Sequence, residues 1–126
     1  MTLVLDAGAL IAVERGNRDT LALLKQELLE RRVPLTHGGV VGQVWRGGAG
    51  RQAVLARLMP ALNIVALDAE LGERAGNLLG KARMDDVIDA ALVLLAVDGD
   101  LVLTADPGDL EPLAISAGLH VDVVPV

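Results

Sequence analysis

The sequence predicts a three-layer α/β/α fold built on a central parallel sheet. Three observations carry that prediction. Short strand-like runs alternate along the chain with helical patterns. The runs are continuously apolar rather than alternating, as strands covered on both faces are. The 126 residues, 52% of them apolar, suffice for one domain spanning residues 1–126 and leave no room for a second.

Leu3 to Leu5 is the first buried strand, and Ala7 to Arg15 the first helix. Arg18 to Arg32 forms a second helix, with Leu21, Leu24, Leu28 and Leu29 at helical spacing. Val33 to Thr36 is a short strand placed by Pro34. Gly39 to Arg46 and Arg51 to Leu62 are helical, the latter with Pro60 near its end. Ile64 to Leu67 is the third strand. Asp68 suits the N-cap of a helix running to Arg83, because Glu70 and Glu73 complement the dipole of its first turn. Asp85 or Asp86 caps the next helix, which runs to about Val97. Leu101 to Thr104 is a strand, Pro107 opens a helix ending near Gly118, and Val121 to Val124 is the last strand.

Composition excludes several chemistries. No cysteine is present, which removes disulfide scaffolds, thiolate zinc sites, iron–sulfur clusters and cysteine nucleophiles. Trp45 is the single aromatic residue, so stacking of bases on an aromatic platform is not expected. The longest apolar run, Ala90 to Val97, is far too short to span a bilayer, and no basic segment precedes an apolar leader. The expectation is a cytoplasmic protein without membrane contact. Net charge is −6, divided into +3 over residues 1–63 and −9 over residues 64–126. A basic footprint over the whole molecule is missing, but the first half is locally basic, and nine of the eleven cations are Arg.

In an open parallel sheet, ligands bind beyond the carboxyl ends of the strands. Asp6 and Asp106 sit at two such ends, where each also suits a helix N-cap. Asp89 begins the apolar stretch from Ala90 to Val97, so its helix is expected to be buried and its carboxylate partly desolvated. Such a group is normally paired or metal-bound. Asp86, three residues earlier, shares its face and suits a cap. Carboxylates gathered without a cationic partner form a hard-oxygen site suited to Mg²⁺ or Mn²⁺. His37 and His120 stand alone, without triad or metal-binding spacing, and are expected in surface or turn positions. Gly48 to Ala53 matches G-x-G-x-x-A but follows a helix, so it is expected to be a helix–helix connection. Trp45 is either a core residue or an interface anchor, and Arg46, Arg51 and Arg57 either form a solvated face or contact phosphates.

Four segments, in order, resemble the acidic motifs of PIN-domain ribonucleases of the VapC type, the toxins of bacterial toxin–antitoxin pairs. They are Val4-Leu-Asp-Ala-Gly-Ala-Leu-Ile11, Val40-Val-Gly-Gln-Val-Trp-Arg46, Asp86-Val-Ile-Asp-Ala-Ala-Leu92 and Leu103-Thr-Ala-Asp-Pro-Gly-Asp109. The resemblance spans essentially the whole chain. It implies a Mg²⁺- or Mn²⁺-dependent endoribonuclease, with Asp6, Asp89 and Asp106 as the metal-binding and catalytic carboxylates. Gln43, Asp86 and Thr104 would support them, and Arg46 and Trp45 would contact RNA or antitoxin. It further implies a VapB-like antitoxin whose C-terminal segment occupies the cleft, and a homodimer. The second motif commonly supplies a Glu where Gln43 stands here, which removes one negative charge and weakens the expected hold on metal. A second reading is therefore a weakened PIN domain that acts only as an antitoxin partner in a repressor complex. A third, a small phosphotransfer domain, would phosphorylate Asp6.

Overall fold

The computed structural model describes every residue from Met1 to Val126. Five strands, β1 (Leu3–Leu5), β2 (Leu35–His37), β3 (Asn63–Val65), β4 (Leu101–Thr104) and β5 (Asp122–Pro125), form one sheet in the order β3-β2-β1-β4-β5. Every pairing is parallel. Seven helices cover it: α1 (Ala7–Glu14), α2 (Arg18–Leu29), α3 (Gly38–Val44), α4 (Ala53–Leu58), α5 (Ala69–Ala82), α6 (Val87–Val93) and α7 (Pro107–Ser116). This is the predicted three-layer architecture. No helix is long and apolar enough to cross a membrane.

The core is aliphatic and alanine-rich, as the absence of Phe and Tyr requires. β1 is buried along its whole length, and Leu5 pairs with Leu103 and Val4 with Val102 of β4. α6 supplies the consecutive buried residues Ala90, Ala91, Leu92 and Val93. Gly8 permits a close approach of α1 to the segment after β4. A Cβ there would lie 2.5 Å from the Cβ of Ala105 and 2.7 Å from its backbone nitrogen.

Several boundaries differ from the sequence expectation, each for a local reason. α2 stops at Leu29 rather than Arg32, because Arg31 turns to φ 58° and Arg32 folds back to bond Glu27 at 2.8 Å. β2 starts after Pro34 rather than at Val33, and extends to His37. The Arg51–Leu62 segment is α4 flanked by 3₁₀ turns, Gly50–Gln52 and Met59–Ala61. α6 ends at Val93 rather than near Val97. The buried Asp100 carboxylate accepts from the Val97 N–H at 2.9 Å and from the Thr2 N–H at 2.8 Å, which diverts the chain into β4.

Candidate acidic site at the sheet switch point

The strand order reverses between β1 and β4, and a crevice opens at their carboxyl ends, where such sheets place ligands. Asp6 follows β1 directly. It is 7% exposed and caps α1, with Oδ1 accepting from the Ala7 N–H at 2.7 Å. Its Oδ2 accepts from the Thr104 hydroxyl at 2.7 Å, and Thr104 Oγ1 in turn accepts from the Asp106 N–H at 2.9 Å. Thr104 is wholly buried. One hydroxyl at the end of β4 thus orients both the carboxylate after β1 and the loop that carries Asp106. Asp106 occupies the N-cap position of α7 but its side chain caps nothing, which leaves its carboxylate free.

Asp86 and Asp89 enter from α6. Asp86 is the N-cap, its Oδ1 accepting from the Asp89 N–H at 3.0 Å. Asp89 lies in the first helical turn, half-buried. Burial, then the charges of Asp86, Asp6, Asp109 and Asp106, push its carboxyl up to about 7 from an ordinary value of 3.8. The group is poised between neutral and charged at physiological pH.

The cleft these residues line has a volume of about 530 Å³ and brings together Asp6, Asp86, Asp89, Asp106, Asp109, Gln43 and Arg46. Arg46 is its one cationic wall. Trp45 is not part of it. Its ring is half-buried, packs against the core and lies close over Gly48. Thr104 reaches the cleft only through Asp6. The sequence reading missed Asp109, although the signal was there: Asp109 follows Asp106 by three positions, the spacing that puts Asp86 and Asp89 on one face.

His37 departs from expectation. It is wholly buried, not on the surface, and forms the N-cap of α3. Nδ1 accepts from the Gly39 N–H at 3.0 Å, and Nε2 lies 2.9 Å from the Ile88 carbonyl oxygen, to which it donates. That arrangement requires a neutral ring, and burial lowers its pKa from the ordinary 6.5. The imidazole therefore ties the start of α3, which carries Gln43, to the peptide that precedes Asp89. His120 is exposed, as expected.

No group of three or more Asp, Glu or His side chains is arranged to close around a metal ion. The donor chemistry nonetheless fits a divalent hard cation. Five carboxylates face one cleft with a single guanidinium, and burial together with the charges of the other four raises the Asp89 carboxyl to about 7.

No protein-family model matches the sequence, and no curated protein matches it significantly. Among solved structures, the crystal structure of VapBC2 from Rickettsia felis bound to a DNA fragment from their promoter contains a similar chain. The match covers 98% of this chain and 99% of that one, with a TM-score of 0.71 and 12% identical residues. A likeness at that identity is one of fold, and the fold here is PIN-like.

Proposed function

We propose that this protein is a divalent-metal-dependent endoribonuclease of the VapC toxin type, restrained by a VapB-like antitoxin. The observation that carries the reading is the cleft at the β1/β4 switch point, where three segments of the chain, the β1–α1 junction and the starts of α6 and α7, deliver five carboxylates, Asp6 among them. The similarity in fold to a chain of the VapBC2 complex supports it. The ion in question is Mg²⁺ or Mn²⁺, and the chemistry it supplies is activation of water and stabilisation of charge on the phosphodiester.

The chain's own contribution is positioning. The Ala7 N–H and the Thr104 hydroxyl fix both oxygens of Asp6 before any ligand arrives. The Asp86 cap and the His37–Ile88 bond hold the first turn of α6, and with it Asp89, at the rim of the core. Arg46 offers a guanidinium to a substrate phosphate, beside the acids rather than among them. An antitoxin segment carrying an Arg would satisfy the same carboxylates. A cytoplasmic location and a homodimer complete the proposal, the latter from the motif resemblance.

The decisive experiment incubates the purified protein with total RNA in Mg²⁺, Mn²⁺ or EDTA, beside the Asp6→Asn variant. Cleavage that needs metal and Asp6 is the expected result. Absence of cleavage, with tight binding to the product of a small neighbouring reading frame, supports the second reading, in which a weakened site serves only antitoxin binding. The observation that favours that alternative is Gln43, a neutral side chain on the wall of the cleft.

A further inference from the structure

A second cavity of about 570 Å³ adjoins the acidic cleft and has the opposite charge. Arg15, Arg46 and Arg51 line it, with Glu14 as its one carboxylate. Ile11, Gln43 and Arg46 belong to both cavities and form the wall between them. Glu14 and Arg51 meet at only 3.8 Å, and the Arg51 side chain is 92% exposed, a pairing worth little in water.

The wall of this cavity is built rather than loose. Gln52 is 5% exposed and organises the loop between α3 and α4. Its Oε1 accepts from the Arg46 N–H at 2.8 Å and the Gly48 N–H at 3.1 Å, and its Nε2 donates to the Val44 carbonyl at 2.9 Å. Gly47, Gly48 and Gly50 supply the positive φ angles that the loop needs to wrap around one side chain. Arg46 donates through Nη1 to the Gly42 and Trp45 carbonyls, which anchors the guanidinium on the wall between the two cavities.

We propose that this arginine cavity holds the phosphate backbone of a single RNA strand next to the bond that the carboxylates act on. The inference rests on the ribonuclease reading above and adds where the strand runs. A polyanion entering a cleft of five carboxylates is repelled there, so its affinity must come from adjacent phosphates. Base stacking does not supply it, because the single aromatic ring is half-buried against Gly48. Three arginines around one cavity do, with the geometry suited to phosphate oxygens. The shared wall selects the occupant. An anion beside Arg46 borders the acidic cleft, and the strand being cut is the anionic chain that must reach both sides. Glu14 then acts as a weak stand-in for phosphate, released from Arg51 when the strand enters.

The test measures binding of a fluorescent single-stranded oligoribonucleotide by anisotropy, in EDTA so that nothing is cleaved, between about 50 and 200 mM KCl. The Arg15→Gln/Arg51→Gln double variant is expected to bind about tenfold more weakly, with a salt slope smaller by about 1.4, two contacts at about 0.7 each. Glu14→Gln is expected to bind a few-fold more tightly. Arg74→Gln, exposed on α5 and outside both cavities, controls for net charge. Unchanged melting temperatures establish that the variants fold. The proposal is overturned if the double variant keeps wild-type affinity and slope, or loses no more than the charge control predicts. If the wild type meanwhile cleaves RNA, the ribonuclease reading survives that failure. A wild type that neither binds nor cleaves RNA overturns both.

Discussion

Thr104 Oγ1 donates a 2.7 Å hydrogen bond to Asp6 Oδ2, joining two buried side chains that lie 98 residues apart in the chain. The same oxygen accepts from the Asp106 N–H. One hydroxyl therefore couples the carboxyl ends of β1 and β4 and sets the relative position of two candidate metal-binding acids.

Thr104→Val keeps the shape but leaves the Asp6 carboxylate and the Asp106 N–H each short of a partner. It is expected to destabilise the fold by about 1–3 kcal/mol, the cost of unsatisfied buried polar groups. Thr104→Ser retains the hydroxyl and is expected to recover most of that loss. Urea unfolding of the three proteins measures the difference, and equal stability of Val and Ser variants would show that the bond contributes nothing.

Metal binding is expected to stabilise the native state by mass action, by about 2.7 kcal/mol at a hundredfold excess over Kd. Mg²⁺ or Mn²⁺ should then raise the melting temperature of the wild type, and Asp6→Asn should abolish the increase. Without metal, the same variant loses one of five repelling charges, and its melting temperature is expected to rise slightly unless the Thr104 bond weakens in step. A variant that gains from metal as the wild type does would exclude Asp6 as a ligand.

Asp89 predicts an unusual pH dependence. Its folded pKa, about 7, lies above the ordinary 3.8, so the folded state holds a proton that the unfolded state has already released. The resulting contribution is fully present below about 4 and is lost as pH rises through 7. Solvent at this partly exposed side chain reduces the full linkage value to about 1–2 kcal/mol. His37 works in the opposite direction: its lowered pKa contributes stability above 6.5 that is lost in acid. Stability of Asp89→Asn minus that of wild type, followed from pH 4 to 8 in denaturant, isolates the first effect. That difference is expected to grow with pH, and a flat one would refute the raised pKa.

Gln43→Glu places a sixth carboxylate on the cleft wall with almost no change in shape. Since Gln43 is exposed there, packing should be preserved and the effect should be electrostatic. Metal Kd is expected to fall about tenfold, with slightly lower stability in EDTA. Calorimetric titration of both proteins at one ionic strength checks this. Unchanged affinity would mean that the second motif has left the site, in favour of the antitoxin-binding reading.

The alternation of strands and helices, the parallel sheet and the acids at strand ends were legible in the sequence, because each follows from local pattern. A buried parallel strand must be apolar throughout, as Leu3–Leu5 is, and a helix start needs an acceptor, as Asp68 and Asp86 provide. Local pattern also located Asp6, Asp89 and Asp106. It could not locate their partners. His37 looked like a surface residue because its burial depends on the Ile88 carbonyl, 51 positions away, and Thr104 was legible as a supporting residue only through the motif resemblance, its acceptor on Asp6 being 98 positions away. Asp109 joined the cleft, and Arg15 and Arg51 came to share a cavity with Arg46, only once the crossover from β3 had set β4 beside β1 and the Gln52 loop had closed. Periodicity and capping act over a few residues and are written in the sequence. Which charges face each other across a cleft is decided by strand order and by contacts between distant segments, and these exist only in the folded chain.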